Sequence, residues 1–257
     1  MAYGRIMYQN RAIAGTLTAT GGTITTGYPV ANLNSWYDWL EYRVSGANAY
    51  TIKIDCGAGG LSAQAVALIN HNLFTRSARF KVDGSDNDAD WTAVLAYVTP
   101  ASDKVIARFW TQATWRYWRI TINNNGGAVF ALSLGSLFLG NYIEFPRPVS
   151  LPVDPDRQKL EISRGIGDTG RILGTAVKFR GRRIALSIRY PTSAWFTDTW
   201  LPAWDSMYAY PFVLAWDPTG HPNEAYFMAW DMDEMGAPYH SGTLRTSLDL
   251  AMRGVVE

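Results

Sequence analysis

The chain has 257 residues, 47% of them apolar and 18% charged, which is enough to fill a sizeable core and excludes a disordered chain. A formal net charge of +1 leaves no global electrostatic case for nucleic acid or an anionic membrane surface as partner. The single cysteine, Cys56, excludes an intrachain disulfide, and no stretch approaches the ~18 apolar residues of a membrane-spanning helix. Met1–Asn10 carries Arg5 and no apolar h-region, so a chain without a signal peptide, folded in a reducing cytoplasm, is expected.

Aromatic residues reach 14%, and the first dense group is the stretch Trp36, Tyr37, Trp39 and Tyr42, which lacks clean alternation and reads as a loop. Flat side chains there can stack on sugar rings, anchor an interface, or pack beneath a sheet. Tyr50–Cys56 is the first confident strand, with Tyr50, Ile52, Ile54 and Cys56 on one face and Thr51, Lys53 and Asp55 on the other. Cys56 falls on the apolar face, so a buried, inert thiol is expected. The apolar run Ala65–Ile69 leads to His71 and Asn72, which read as a turn. Strands are predicted at Arg79–Val82 and Trp91–Val98, joined through Asp83-Gly84-Ser85 and the acidic stretch to Asp90. Its alternating carboxylates suggest calcium, yet the glycine and closing glutamate of an EF-hand loop are missing, and a solvated hairpin loop is the expectation. Trp118, Ile120 and Ile122 alternate with Arg119 and Thr121, and Ala131–Leu139 follows.

Phe145–Pro155 contains four prolines and favours extended geometry, which places a domain boundary between residues 145 and 146. Beyond it, strands are predicted at Lys159–Ser163, Ile184–Tyr190, Phe212–Trp216, Ala225–Trp230 and Leu244–Arg253. One helix is predicted after Pro191 and Thr192, with Trp200 and Trp204 recurring at helical spacing and Pro202 breaking or kinking it. The fold class read from this pattern is all-β: a sandwich over residues 1–145 and a second mostly-β domain with one short helix over residues 146–257.

No nucleophile elbow, P-loop or dinucleotide fingerprint is present, and His71, His221 and His240 lack metal-ligand spacing. No enzyme activity, catalytic residue, metal or cofactor is therefore expected. Asp231 and Asp233 could form a glycosidase-type carboxylate pair, but residues this close in sequence read first as a solvated strand end. Arg180, Arg182 and Arg183 belong to the densest basic run, too short for a nucleic-acid groove. Their expected roles are edge protection, or pairing with Asp231 and Asp233 of a neighbouring copy.

In order, Pro29–Leu33, the Trp-rich loop, Tyr50–Gly57, Ala65–Leu73, Phe80–Asp86, Trp91–Val94 and Arg116–Ile122 resemble the discoidin-like, galactose-binding-like jelly roll over roughly residues 25–145. The Ala67-to-Leu73 segment and the closing Ser136–Gly140 are most similar to versions found in bacteriophage tail proteins. Pro211–Pro218 is similar to a strand of distal-tail β domains. The resemblance implies a structural component of a phage tail tip or baseplate, located in the virion. It would be a ring of six or three copies that contacts other tail proteins. The second domain would form the ring and bury Trp195, Trp200 and Trp204, while the jelly roll faces outward. The alternative it implies is a carbohydrate-binding adhesion protein that recognises host glycans through Trp36, Tyr37 and Trp39.

Overall fold

The computed structural model describes residues 3–150, 158–166, 168, 171–232, 240–241, 244–245 and 247–255. The fold is mostly β with one short helical segment. A first strand, β1 (Arg5–Met7), precedes the jelly roll. The jelly-roll strands are β2 (Thr16–Thr20), β3 (Thr23–Ile24), β4 (Tyr42–Ala47), β5 (Ala49–Asp55), β6 (Leu61–His71), β7 (Ala78–Ser85), β8 (Thr92–Val98), β9 (Ile106–Trp115), β10 (Tyr117–Asn124) and β11 (Phe130–Gly140). After them come β12 (Tyr142–Glu144), β13 (Gln158–Ile166), β14 (Ile172–Arg189), β15 (Phe212–Ala215), β16 (Ala225–Trp230), the short β17 (His240–Ser241) and β18 (Leu244–Arg245), and β19 (Ser247–Val255).

Two five-stranded antiparallel sheets, ordered β2-β5-β10-β7-β8 and β3-β4-β11-β6-β9, form the sandwich. Alternation drives their packing: Tyr50, Ile52 and Ile54 of β5 and Trp118, Ile120 and Ile122 of β10 point inward against Val44, Leu132 and Leu134 of the facing sheet.

The third sheet is seven-stranded, β12-β1-β15-β16-β19-β14-β13, and it corrects the expected division at residue 145. β1 pairs with both β12 and β15, so segments on each side of the jelly roll complete the second module. The sandwich is thus inserted into the other module, because strands that close a sheet need not be adjacent in sequence. One face of this sheet buries Ile184, Ile188, Leu248 and Met252 against Phe196, Trp200 and Met207 of the helical segment. That segment comprises α1 (Ser193–Trp195), a π-helical turn (Phe196–Trp200) and α2 (Leu201–Met207). Thr192 caps it by accepting from the Trp195 amide at 3.2 Å. Pro202 does not end the helix, because it sits in the first turn of α2 and the preceding turn opens to a π-turn, where its missing N–H is absorbed.

A separate core joins the modules. In β6, Val66 and Leu68 enter the sandwich, whereas Ala65, Ala67 and Ile69 face the other way, against Met7, Val213 and Ala225. This explains the unbroken apolar run: a strand buried on both faces has no polar side to display. The same burial extends β6 through His71, where a turn was expected. Asp83-Gly84-Ser85 is likewise strand, the end of β7, because Asp83 is buried and held by Arg119 and Lys81. Gly84 is required there: a Cβ would collide with the Trp115 ring.

Candidate functional site

The loop between Leu33 and β4 divides its aromatics between two environments. Trp36 turns inward, stacking on Tyr210 at 4.6 Å and meeting Phe138 edge-on at 5.6 Å. It therefore acts as a wedge between the modules, one face covered by Tyr210, and does not stand beside Tyr37 and Trp39 as an exposed ring. Tyr37 and Trp39 turn outward, 53% and 69% exposed.

The backbone beneath them is fastened at several points. Asn70, at φ +52°, donates its amide to the Asp38 carbonyl at 3.1 Å. Ser136 Oγ donates to the Ser35 carbonyl at 3.1 Å, and the Asn32 amide donates to the Glu41 carbonyl at 2.7 Å. Gly135 lets the loop lie against β11, since a Cβ would collide with the Asp38 carbonyl oxygen. Two rings are thus displayed on an anchored loop, with Asp38 between them in sequence as an acceptor, while the Glu41 carboxylate is held by Arg43 at 2.6 Å. Such a surface can stack on the C–H face of a pyranose and accept bonds from its hydroxyls, at little ordering cost.

Tyr208 and Tyr210, 61% and 44% exposed, belong to the neighbouring segment that meets this loop through the Trp36–Tyr210 stack. They were missed in the sequence because nothing local signals that residue 210 folds against residue 36.

The expected ring-interface residues are occupied within one chain. Trp200 is fully buried, Trp195 stacks on it at 5.7 Å, and Trp204 packs against Trp230 at 4.9 Å. Arg183 pairs with Asp231 of its own chain at 2.8 Å, so these two do not need a neighbouring copy. Arg182 is buried, its guanidinium 4.2 Å over the Tyr226 ring. Arg180 is exposed, and Asp233 lies outside the described residues. Because β14 alternates, one face of the basic run and of the helix belongs to the module's own core, which accounts for Arg182 and Trp200; Arg180 is exposed and Trp195 and Trp204 are only partly buried.

The acidic loop holds its charges against cations and amides. Asp88 meets Lys53 at 2.6 Å, Asn87 Oδ1 accepts from the Ala89 and Asp90 amides, and the Asp83 carboxylate grips Arg119 side-on. Among the described residues no group of three or more His, Cys, Asp or Glu could hold a metal ion, and no helix is long and apolar enough to cross a membrane. Cys56 is half-buried, and burial, with the Asp55 carboxylate adding, pushes its thiol up to about 11. His71 is pushed down to about 4 by burial, which outweighs Asp103 at 3.8 Å; the imidazole is therefore neutral at ordinary pH and this contact is no ion pair.

The chain matches no protein-family model and no curated protein. Among solved structures it is similar to chitosan-binding module 1 of a chitosanase/glucanase from Paenibacillus sp. IK-5, at 19% identity and a TM-score of 0.44, covering 52% of this chain and 99% of that one. Chitosan-binding module 2 of the same enzyme, in complex with chitotriose, overlaps at 16% identity and a TM-score of 0.43, covering 51% of this chain and 100% of that one. A Clostridium perfringens domain in complex with GalNAc-β-1,3-galactose overlaps at 9% identity and a TM-score of 0.43, covering 51% and 99%.

Proposed function

We propose that the protein is a non-enzymatic carbohydrate-binding protein whose jelly roll presents Trp39 and Tyr37 to a glycan. The observation that carries this is the 69% exposure of the Trp39 indole on a loop fastened to β6 and β11. A large apolar ring held rigidly in water costs hydration free energy in the free protein, and a sugar face recovers it on binding. Glycan-array screening of the full chain, followed by titration of the best ligand, tests the reading. Trp39→Ala should weaken that ligand by about tenfold or more, as loss of an anchoring aromatic does. A blank array, or undiminished binding by Trp39→Ala, overturns it.

A second reading, the tail-tip structural protein, is favoured by the β13–β14 hairpin. Ile172–Arg180 pairs only with β13 among the described residues, beyond the reach of β19. This arm carries Leu160, Ile162, Ile172, Leu173 and Val177, from 38% to 76% exposed. Ile162 stands opposite Val177, so part of this apolar surface lies on one face. An exposed apolar hairpin ending on an edge strand invites a partner, and in a ring that partner is the next copy. Native mass spectrometry distinguishes the readings: a discrete trimer or hexamer that dissociates on Leu173→Glu supports the ring, and a monomer at high concentration opposes it.

A further inference from the structure

Between the jelly roll and the seven-stranded sheet lies a cleft of about 190 Å³. β9 supplies one wall through Arg108 and Phe109; β1 and the turn after β15 supply the other through Arg5, Thr219 and His221. Its lining contains two guanidiniums and an imidazole, and no carboxylate.

These groups are not equally satisfied. Arg5 is held side-on by Glu144, at 3.0 Å through Nε and 2.9 Å through Nη2, and His221 Nδ1 faces Glu224 at 3.2 Å. Arg108 differs. Its Nη1 donates to the Ala107 and Pro222 carbonyls at 2.8 and 2.7 Å, and its Nη2 donates to Asn223 Oδ1 at 2.8 Å. All three acceptors are neutral, and no ion pair reaches Arg108 among the described residues. Burial alone accounts for the downward push on its guanidinium. Arg116 and Arg119, by contrast, each hold a carboxylate side-on. A partly desolvated, uncompensated guanidinium is costly unless something supplies the missing charge.

The geometry points to an oxyanion site at this seam, in which Arg108 receives the carboxylate of an acidic sugar of the uronic or sialic type. A cavity of this size is smaller than the roughly 300 Å³ at which pockets begin to enclose a whole drug-sized molecule. It therefore takes the charged end of the ligand, with Phe109 as an apolar wall, and leaves the rest of the chain outside. The anion part of this assignment stands on Arg108 alone; the sugar part rests on the carbohydrate-binding reading.

The test is titration of the full chain with glucuronate, N-acetylneuraminate, glucose and inorganic phosphate, followed by tryptophan fluorescence. Trp216 lies against His221 beside the cleft, the rings tilted with centroids 4.7 Å apart, and supplies a local signal. Both acidic sugars should bind saturably and glucose should not. Arg108→Gln and Thr219→Glu should each weaken binding by at least about tenfold, as expected for losing a charge-assisted contact. Thr219→Glu removes none of the three acceptors that hold Arg108 and places a carboxylate in the cleft, where it should compete with that of the ligand; circular dichroism and the melting temperature of both variants check that the seam is kept. Arg108→Lys should retain part of the affinity. Absence of any response to the acidic sugars, or undiminished binding by both weakening variants, overturns the site. Phosphate binding as tightly as the sugars overturns the sugar assignment. Trp39→Ala should leave the seam response unchanged. A blank array of neutral glycans with a positive glucuronate titration therefore refutes the Trp39 platform, and the reverse result refutes the seam.

Discussion

Trp36 and Trp39 stand three residues apart and should behave in opposite ways when truncated. Trp36→Ala removes a half-buried indole that stacks on Tyr210 and meets Phe138, a fully buried residue of the core between the modules. A fully buried tryptophan costs about 3–5 kcal/mol on truncation; allowing for partial exposure, about 2–3 kcal/mol is expected here. For a chain of this length that corresponds to a fall in Tm of roughly 5–10 °C. Trp39→Ala, at an exposed position, should stay within about 0.5 kcal/mol of wild type. Differential scanning calorimetry of both variants beside the same glycan titration makes the comparison. A Trp36→Ala protein melting with wild type, or a Trp39→Ala protein destabilised as much as Trp36→Ala, would refute the assignment of one ring to the seam and the other to solvent.

His71 should make stability depend on pH. Its folded pKa, about 4, lies below the ordinary imidazole value, so the unfolded chain takes up the proton first as pH falls. Its contribution is fully present above about pH 6.5 and is lost progressively towards pH 4, by about 3 kcal/mol. Urea unfolding at pH 7 and pH 4.5 should show that loss, and His71→Phe should remove this component. Asp83, 2% exposed and gripped by Arg119 and Lys81, should cost about 1–3 kcal/mol on replacement by alanine, since two partly exposed cations lose their counter-charge and must be solvated instead. A melting temperature unchanged in Asp83→Ala would contradict the pairing. With its thiol pushed up to about 11, Cys56 should react with an aromatic disulfide reagent at pH 8 about two orders of magnitude more slowly than free cysteine. Labelling at the free-cysteine rate would show that the thiol is not shielded.

Local rules were enough for much of this molecule. Period-two alternation at Tyr50–Cys56, Trp118–Ile122 and Ile184–Tyr190 identifies strands because a half-buried sheet must separate its faces, and Thr192 announces the helix because its side chain can cap the first turn. The all-β character was legible in the same way, whereas the stretch from Trp36 to Tyr42 showed no alternation and its sequence did not separate the exposed Tyr37 and Trp39 from the inward Trp36. What local pattern could not supply was the partner of each face. Ala65–Ile69 has no alternation because two different cores claim its two sides, and only the docking of the seven-stranded sheet shows it. Whether a tryptophan is platform, wedge or core depends on residues far away in the chain: Trp36 on Tyr210, Trp200 on Trp230. The module boundary obeys the same logic, since β1 and β12 pair across more than a hundred intervening residues. The seam cleft around Arg108 exists only once both modules are in place. Sequence spacing determines which faces a segment presents; the tertiary structure decides what each face meets, because burial is a property of the assembled surfaces rather than of the chain.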